Sequence, residues 1–222
     1  MEGFQANRLV PISKRGDWWW PDYDQLALVG ILRESGVRGG MGDIDKMMVF
    51  VKDRRVVVHA GANCGIWTKR YAGLFDKVWA FEPDLLNFVC LNLNVREPNV
   101  RVFNQALGAW PGRGVMQETP DNCGALYVGT GAGRGVEIVT VDDLGLTVCD
   151  LLQLDVEGYE LLALRGAVKV LRELRPTVVA ETLRGHAGRY GYDPETIYRF
   201  LSDLGYVRVE KIGADEVFQY GG

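Results

Sequence analysis

The amino-acid sequence predicts an α/β fold in which a mostly parallel, seven-stranded sheet carries helices on both faces. From residue 55 onward, short apolar runs rich in β-branched residues alternate with longer segments of helical period. This alternation is typical of parallel strands that are joined by crossover helices. The chain then closes with "YVRVEKIGADEVFQY" (206–220), in which two strand-like runs flank a "GAD" turn. This pattern predicts an antiparallel hairpin at the edge of the sheet.

Five segments are predicted to form the parallel strands. They are "RVVVHA" (55–60), "KVWAFEP" (77–83), "NVRVFNQAL" (99–107), "CDLLQLDVEG" (149–158) and "RPTVVAET" (175–182). The intervening segments predict helices, because their apolar residues recur at helical spacing. These predicted helices cover residues 66–75, 84–95, 159–174 and 193–206. A glycine-rich stretch from 120 to 144 separates the third strand from the fourth and contains one further predicted strand at 136–141.

The first 54 residues do not follow this alternation and are predicted to form an arm with two helices. The arm contains three adjacent tryptophans, Trp18 to Trp20, which cannot all face one side of a strand or helix. We therefore expect some of them to pack against another surface, such as the core, a partner or a substrate. Pro21 is predicted to open a helix through residues 22–35, and Asp43 is predicted to cap a second, short helix.

Composition restricts the classes to which the protein can belong. The 222 residues are 47% hydrophobic, which suffices for one α/β domain with its own core. The net charge of −4 and the pI near 5.3 argue against a broad surface that neutralises nucleic-acid phosphates. No N-terminal signal segment is visible, and no apolar run approaches the roughly 18 residues that span a bilayer. The four cysteines are too widely spaced for a zinc or disulfide framework, so we expect a cytoplasmic protein with reduced thiols.

The residues that follow each strand are the candidates for chemistry, because ligands of such sheets bind outside the carboxyl ends of the strands. The first strand runs into "GANCG", whose glycines let the backbone approach a carboxylate or phosphate at the next helix N-terminus. Glu82 ends the second strand, 21 residues beyond Gly61, where a carboxylate can bind both hydroxyls of a ribose. Each feature alone also fits a tight turn or a helix-terminal charge. Together they indicate a nucleoside-type ligand, with Asn104 and Gln105 placed to contact an adenine.

Acidic side chains end the fourth and fifth strands. Asp155 and Glu157 lie in "LDVEGYE", where two carboxylates suit an ammonium group, a substrate hydroxyl or a metal ion. Glu181 ends the fifth strand, and His186 follows it in a loop with two arginines. Loop histidines are commonly just solvated, but this position makes His186 a candidate for substrate binding or proton transfer. No metal ligands are assigned, and whether a divalent ion lies between Asp155 and Glu181 stays open.

Five longer segments of the chain occur in a characteristic order and spacing. They are "VVHAGANCGIWTKRYAGLF", "VWAFEPDLLNFVCLNLNV", "VTVDDL", "CDLLQLDVEGYELLALRGAVKVL" and "RPTVVAE". Together they resemble the FkbM-type methyltransferases, which are class I enzymes that depend on S-adenosylmethionine. The resemblance covers about residues 55–210, and the D-V-E-G block followed by L-R-G-A is more distinctive than the glycine loop. It implies a Rossmann-like class I methyltransferase sandwich, with residues 55–222 as the S-adenosylmethionine-binding domain. Residues 1–54 lie outside the resemblance, and we expect this arm to cover the acceptor, because the sheet itself supplies only the cofactor half.

The resemblance implies roles in binding this cofactor. The residues concerned are His59, Gly61, Ala62, Asn63, Gly65, Glu82, Pro83, Asn104, Gln105 and Asp155. The glycine loop would surround the methionine part of the cofactor, and Glu82 would hold the ribose. Asn104 or Gln105 would border the adenine. Asp155 would lie beside both the cofactor's amino group and the methyl acceptor.

The resemblance also places residues at the acceptor. Glu157 and Glu181 would lie near the acceptor pocket, and an alcohol acceptor would benefit from a base that takes its proton. The candidates for this base are Asp155, Glu157 and His186, in that order. The arm would contribute to acceptor binding through Trp19 and Trp20.

His59 departs from the family pattern, which normally has an aspartate at this position, near the cofactor's amino group. A neutral histidine can accept one hydrogen bond, but it supplies no fixed negative charge to an ammonium group. Losing one charge-assisted hydrogen bond costs on the order of 1.5–3 kcal/mol. We expect weaker cofactor binding unless Asp155 supplies the missing charge.

The acceptor implied by the resemblance is a hydroxyl on a sugar, another natural product or a nucleotide-type compound. Two alternatives stay open. A nicotinamide-dependent oxidoreductase shares the glycine loop and the acid after the second strand, although it does not explain D-V-E-G. A degenerate methyltransferase scaffold could serve as a non-catalytic binding subunit, and His59 favours this reading. Nucleic acid is a possible but not favoured acceptor, because no N/D-P-P-Y-type motif occurs, and a membrane partner is not expected.

Overall fold

The computed structural model describes residues 12–25 and 41–221. In chain order, the strands are β1 (Ile12–Arg15), β2 (Trp18–Pro21), β3 (Val56–Ala60), β4 (Lys77–Phe81), β5 (Val100–Phe103), β6 (Ala106–Leu107), β7 (Gly112–Gln117), β8 (Tyr127–Gly129), β9 (Arg134–Val139), β10 (Leu151–Leu154), β11 (Thr177–Glu181), β12 (Tyr206–Ile212) and β13 (Asp215–Tyr220). The α-helices are α1 (Met41–Met47), α2 (Ile66–Ala72), α3 (Leu85–Asn94), α4 (Glu160–Arg165), α5 (Val168–Glu173), α6 (Arg184–Ala187) and α7 (Pro194–Asp203). Short 3-10 turns lie at Met48–Phe50, Asp142–Leu144 and Gly188–Tyr190.

The largest sheet has seven strands in the order β12-β13-β11-β10-β3-β4-β5. Strands β5, β4, β3, β10 and β11 pair in parallel, whereas β13 is antiparallel to both β11 and β12. The predicted mostly parallel, seven-stranded sheet with a C-terminal antiparallel hairpin is therefore confirmed. The chain runs outward from β3 to β5 and then returns to β10 on the other side of β3. The carboxyl ends of β3 and β10 thus flank the reversal in strand order, where ligands bind in such sheets.

Apolar side chains pack on both faces of this sheet. On one face, Val58 and Leu152 belong to a core cluster that includes residues of α4, α5 and α7. On the other face, Val57 and Leu151 pack with Tyr71 of α2 and with residues of α1. Strands β3 and β10 are buried along their whole length because helices cover both faces.

The helices that cover the sheet mostly begin where the sequence predicts them. Asp84 caps α3 by accepting hydrogen bonds from the backbone at Leu86 and Asn87. Asp193 caps α7, whose first residue is a proline. The helix predicted over 159–174 is divided into α4 and α5 at Gly166. A Cβ atom at Gly166 would lie 2.0 Å from the carbonyl oxygen of Gly108. The helix is thus interrupted at the point where its backbone packs directly against the backbone at Gly108.

A second sheet of four strands, in the order β6-β9-β7-β8, is formed by residues 106–139. The sequence predicts a strand at 136–141 and extends the third parallel strand to residue 107. Instead, β5 ends at Phe103, and Ala106–Leu107 forms a separate strand of this second sheet. Strand β7 is antiparallel to both β8 and β9. The many glycines obscure the alternation of buried and exposed residues from which strands are recognised. The small core of this sheet consists of Ala106, Met116, Val128, Val136 and Ile138.

The N-terminal segment differs from its prediction. Strands β1 and β2 form a β-hairpin, and Pro21 ends β2 instead of opening a helix. Residues 22–25 form a turn, and the rest of that predicted helix lies outside the described residues. Trp18 and Trp20 are buried on one face of β2 and Trp19 is half-buried on the other, because successive residues of a strand point to opposite faces.

The second predicted helix of the arm is present as α1. It begins at Met41, so Asp43 lies within its first turn and is not its N-cap. An acidic residue in the first turn still interacts favourably with the helix dipole. In the described ranges, no helix combines the length and apolar character needed to cross a membrane.

Candidate active site

A cavity opens at the carboxyl ends of β3, β4 and β10, beside the reversal in strand order. It measures about 620 Å³, including the part that is open to solvent. The predicted site residues that line it are Gly61, Asn63, Glu82, Pro83, Gln105, Asp155 and Glu157. The fold thus brings together side chains that follow four different strands, as expected for a sheet of this topology.

The glycine loop approaches the neighbouring strand end very closely. Gly61 has φ +79°, and a Cβ atom added there would lie 1.7 Å from the carbonyl oxygen of Asp155. The backbone N–H groups of Gly61 and Ala62 both donate to the carbonyl of Phe81 at 3.0 Å. Ala62 and Gly65 face away from the cavity and pack against α3. Of the predicted loop residues, Gly61 and Asn63 therefore reach the cavity, while Ala62 and Gly65 hold the loop on the domain.

Glu82 is buried at the cavity wall, and each of its oxygens accepts one backbone hydrogen bond. Oε2 accepts from the N–H of Asn63 at 2.8 Å, and Oε1 accepts from the N–H of Asp84 at 2.8 Å. Burial raises the pKa of Glu82 to about 8, although these N–H groups favour the ionised form. A carboxylate has about four lone-pair positions, so two remain for a ligand.

Asn104 and Gln105 are held by the protein in different ways. The side-chain amide of Asn104 donates to the backbone carbonyls of Glu82 and Pro83, at 2.9 Å each. Asn104 does not line the cavity and instead fixes the turn that carries Glu82. Gln105 lines the cavity, and its amide donates to Glu137 of the second sheet at 2.9 Å. Of this predicted pair, only Gln105 is placed to contact a ligand.

A largely apolar wall of the cavity was missed by the sequence reasoning. The second sheet and its loops contribute Leu107, Met116, Cys123, Leu126, Tyr127 and Val128, and the main domain contributes Phe81 and Tyr159. Tyr159 directly follows the D-V-E-G block, so its position was a usable signal. The second-sheet residues carried no such signal, because their contact with the cavity depends on how that sheet folds over the strand ends.

Glu157, Glu181 and His186 form a compact cluster at one end of this region. His186 Nδ1 lies 3.0 Å from Glu181 Oε2 and 3.1 Å from Glu157 Oε2. Glu157 adopts φ +57°, and a Cβ atom at the next residue, Gly158, would lie 2.3 Å from the carbonyl oxygen of His186. The D-V-E-G turn and the loop after β11 are thus in direct contact. Glu181 and His186 themselves lie beside the cavity and are not part of its lining.

The carboxyl groups of this region hold protons more strongly than usual. Burial, followed by the charges of Glu181 and Glu157, raises the pKa of Asp155 well above its ordinary range. Burial also raises the pKa of both Glu157 and Glu181 to about 7, with smaller contributions from neighbouring carboxylates. Burial and the nearby Arg189 lower the pKa of His186. Groups that titrate near neutrality are suited to accepting and releasing protons.

His59 does not line the cavity. It lies on β3 facing α2, where its Nδ1 is 3.0 Å from the Thr68 hydroxyl and its ring meets Tyr71 edge-on at 5.2 Å. Burial lowers the pKa of His59 to about 3, so the imidazole is neutral. The structure therefore gives His59 a packing role beneath the glycine loop.

Trp19 and Trp20 are also outside the cavity lining. Trp20 is buried in a cluster with Cys64, Ile66 and Cys90, and its indole N–H donates to Asp24 at 2.7 Å. The backbone of Trp19 exchanges hydrogen bonds with the side chain of Asn94 on α3. The tryptophans therefore attach the N-terminal hairpin to the domain.

A profile of the methyltransferase FkbM domain matches residues 56–208, which is more than half of the chain. The chain belongs to the FkbM methyltransferase family. The family match confirms the predicted class of enzyme, an S-adenosylmethionine-dependent methyltransferase domain, and goes against the nicotinamide alternative. A search of curated proteins returned no significant match.

Solved methyltransferase structures share the fold of this FkbM domain. An FkbM methyltransferase from Methylobacillus flagellatus KT aligns with a TM-score of 0.52 and 19% identity, over 76% of this chain and 44% of that one. A putative S-adenosylmethionine-dependent methyltransferase from Listeria monocytogenes aligns with a TM-score of 0.50 and 10% identity, over 82% of this chain and 100% of that one. Magnesium protoporphyrin IX methyltransferase from Synechocystis PCC 6803, solved with bound S-adenosylmethionine, has a TM-score of 0.50 and 11% identity, over 82% and 77% of the two chains. The FkbM chain described here thus spans less than half the length of the Methylobacillus protein.

Proposed function

We propose that the FkbM domain transfers a methyl group from S-adenosylmethionine to a hydroxyl of a small molecule or glycan, such as a sugar, another natural product or a nucleotide-type compound. The arrangement of one cavity carries this proposal. Gly61 and Glu82 line it together with Asp155 and Glu157. The residues that suit a nucleoside, Gly61 and Glu82, therefore line the same cavity as carboxyl groups that can accept the proton of an alcohol.

The residues of the cavity fit the cofactor. The unused lone pairs of Glu82 suit the two ribose hydroxyls. Leu107 and Met116 offer an apolar surface for the adenine, with the Gln105 amide beside it. Asp155 lines the same cavity as the glycine loop, so its carboxylate would supply the negative charge that His59 does not provide for the amino group.

When bound, the cofactor supplies a methyl group that is already activated. The chain therefore has to align the acceptor, exclude water and receive the acceptor's proton. Asp155 is our first candidate for receiving this proton, since it lines the cavity and a nearby cationic ligand would favour its ionised form. Glu157 also lines the cavity and is the second candidate. His186 does not line it and is the last candidate.

The acidic character of this region favours a small acceptor over a nucleic acid. Asp155 and Glu157 line the cavity, and its lining residues in the described part of the chain include no lysine or arginine that could pair with the phosphates of a nucleic-acid backbone. A ribose hydroxyl of a small nucleotide-type compound is still compatible with the site. The cytoplasmic location stays a prediction, which rests on the four free cysteines.

We also propose that the arm formed by residues 1–54 braces the cavity wall and covers one side of the acceptor region. Asp24 accepts hydrogen bonds from the Trp20 indole at 2.7 Å and from the backbone N–H of Cys123 at 3.1 Å. Cys123 lines the cavity. The buried hairpin of the arm is therefore linked to the cavity through Asp24.

The proposed reaction is tested by incubating the purified chain with S-adenosylmethionine that carries a labelled methyl group and with panels of sugars, nucleotide sugars, phenols and nucleosides. We expect label in a product that gains one methyl group and survives mild alkali, because an ether resists the hydrolysis that cleaves a methyl ester. Asp155→Asn is expected to lower the rate, and Lys77→Gln serves as a control because Lys77 is exposed at the amino end of β4.

Two other outcomes would change the conclusion. Label that is lost in mild alkali would point to a carboxylate acceptor, and label on nitrogen to an amine. Binding of S-adenosylmethionine, measured by calorimetry, without transfer to any acceptor in the panels would favour a non-catalytic binding subunit.

A further inference from the structure

We propose that Glu157, Glu181 and His186 bind a divalent transition-metal cation at the edge of the active-site cavity, where Glu157 lines it, and that this cation holds an oxygen-rich acceptor. The three side chains come from three separate segments: the turn after β10, the end of β11, and α6. The inference deepens the proposed function, on which its role in the reaction rests, but metal binding itself does not depend on that function.

The two spacings from His186 to the carboxylate oxygens match the separation of adjacent ligands around a metal ion. One atom from each residue lies within 4.8 Å of the others, and Nδ1 of His186 is 3.0 Å and 3.1 Å from the two carboxylate oxygens. Ligands at right angles around a cation with bonds of about 2.1 Å are separated by about 3.0 Å. A cation could therefore occupy this face with only small side-chain movements.

A second observation, independent of this spacing, is a carboxylate oxygen that lacks a donor. The single Nδ1 position of His186 can donate only one proton, and its hydrogen bond is formed with Glu181. Glu157 Oε2 also lies 3.1 Å from Nδ1, but this contact is not aligned as a hydrogen bond. Glu157 Oε2 is buried and has no hydrogen-bond partner. A buried, unpartnered oxygen that faces a histidine and a second carboxylate indicates an unfilled coordination position.

Arg189 supplies only part of the positive charge that the carboxyl groups of the cluster can take up. Arg189 is the nearby cation, and its Nη1 lies 3.7 Å from Glu157 Oε2. The same guanidinium donates to the backbone carbonyl of Glu157 and lies over the Tyr127 ring at 4.5 Å. Asp155 adds a further carboxylate on the cavity side. A divalent cation would neutralise this excess of negative charge.

The composition of the ligand set indicates the class of metal. Magnesium and calcium prefer oxygen ligands, whereas an imidazole suits iron, nickel, copper or zinc, and carboxylates also suit manganese. Two carboxylates with one imidazole therefore favour a first-row transition cation. Three protein ligands leave coordination positions for substrate oxygens, so we expect an acceptor with neighbouring oxygens, such as a vicinal diol.

The test uses the full chain, freed of metal by dialysis against a chelator, and needs neither cofactor nor acceptor. Mn²⁺ is titrated into the chain, and free Mn²⁺ is followed by its electron paramagnetic resonance signal. We expect one bound Mn²⁺ per chain, competition by Zn²⁺, and a loss of affinity of about tenfold or more in Glu181→Gln and His186→Asn. Glu195→Gln is the charge-matched control, because Glu195 is exposed on α7.

Several results would overturn the proposal. They are the absence of Mn²⁺ and Zn²⁺ binding, several equivalent weak sites, or an affinity that is unchanged in both Glu181→Gln and His186→Asn. Circular dichroism and binding of S-adenosylhomocysteine check that the variants are folded. Metal binding without methyl transfer would contradict the proposed function alone, whereas methyl transfer that is unaffected by complete metal removal would contradict the role of the cation alone.

Discussion

Gly61 and Asp155 lie in backbone contact across the reversal in strand order. A Cβ atom at Gly61 would come within 1.7 Å of the Asp155 carbonyl oxygen, and Gly61 also adopts φ +79°. The Asp155 N–H donates to the carbonyl of Ala60 at 3.1 Å, so the glycine loop and the D-V-E-G turn are joined directly. Only glycine tolerates both the positive φ angle and the absence of space for a Cβ atom. The position of the Asp155 backbone therefore depends on a glycine at residue 61.

Gly61→Ala is expected to reduce S-adenosylhomocysteine affinity by about tenfold or more, because the added methyl group forces two backbones apart. Calorimetry measures the affinity, and urea unfolding measures the free energy of unfolding. Gly213→Ala is the matched control, since Gly213 has φ +65° in the β12–β13 turn but nothing within 4 Å of its Cβ position. We expect Gly213→Ala to cost about 1–2 kcal/mol of stability and to leave binding unchanged. Equal binding losses in the two variants would contradict a specific contact between Gly61 and Asp155.

Glu82 is expected to release a proton when the cofactor binds. Burial raises the pKa of Glu82 to about 8, so the free site is largely protonated near neutral pH. Donation from two ribose hydroxyls favours the ionised form and lowers this pKa. Affinity should therefore rise with pH toward about 8. Calorimetry of S-adenosylhomocysteine binding, in buffers of different ionisation enthalpy, measures the released proton.

Glu82→Gln provides the comparison for this proton release. The variant is expected to bind more weakly and to lose the release near neutral pH, because glutamine does not titrate. Asp155 interacts electrostatically with Glu82, and its own pKa is raised, so a release that persists in Glu82→Gln would assign the proton to Asp155.

His59 is expected to make the fold sensitive to mild acid. Burial lowers the pKa of His59 to about 3, whereas the unfolded chain protonates near 6.5. The unfolded state then binds more protons as the pH falls, so the contribution to stability that is present above pH 6.5 is progressively lost below it. Between pH 6.5 and 5, this amounts to up to about 2 kcal/mol.

The His59 effect is measured by urea unfolding of the wild type and His59→Asn over this pH range. The variant should show a flatter profile, because asparagine can accept from Thr68 without titrating. Parallel profiles in the two proteins would show that another group causes the acid sensitivity. His186, whose pKa is also lowered, is examined with His186→Asn.

His59→Asp, which introduces the residue usual in the family, is expected to destabilise this chain and not to tighten cofactor binding. The position faces Thr68 and Tyr71 and lies outside the cavity lining, so the new charge would be buried without a cationic partner. Such a change costs several kcal/mol unless the carboxyl group takes up a proton. Thermal unfolding and calorimetry with S-adenosylmethionine measure the two effects. Tighter binding would instead support the expectation from the sequence that an aspartate at position 59 binds the amino group of the cofactor.

Asp24→Asn is expected to lower stability by about 1–3 kcal/mol and to weaken S-adenosylhomocysteine binding moderately. Both oxygens of Asp24 accept hydrogen bonds, from Trp20 and Cys123, and an amide nitrogen cannot replace the second acceptor. Asp22→Asn is the control, because Asp22 is exposed in the same turn. Unchanged binding in Asp24→Asn, despite lower stability, would limit the arm to a structural role.

Much of the fold and part of the site could be predicted because the decisive signals are local. Strand periodicity and the terminal "GAD" turn predicted the main sheet, and the caps at Asp84 and Asp193 marked the starts of helices. The prediction that Pro21 opens a helix in the N-terminal arm was wrong, because three tryptophans followed by a proline fit the end of a β-hairpin as well as the start of a helix.

The sequence by itself determined the family, the central sheet and the cavity-lining residues Gly61, Glu82 and Asp155, since these depend on short patterns at strand ends. Only the tertiary structure decided that His59 packs under the loop, that Asn104 holds a turn, and that a second sheet walls the cavity. The same holds for the contact of Glu157 with His186, which lie 29 positions apart in the chain. Such contacts depend on burial and on the approach of distant backbones, which no local pattern in the sequence records.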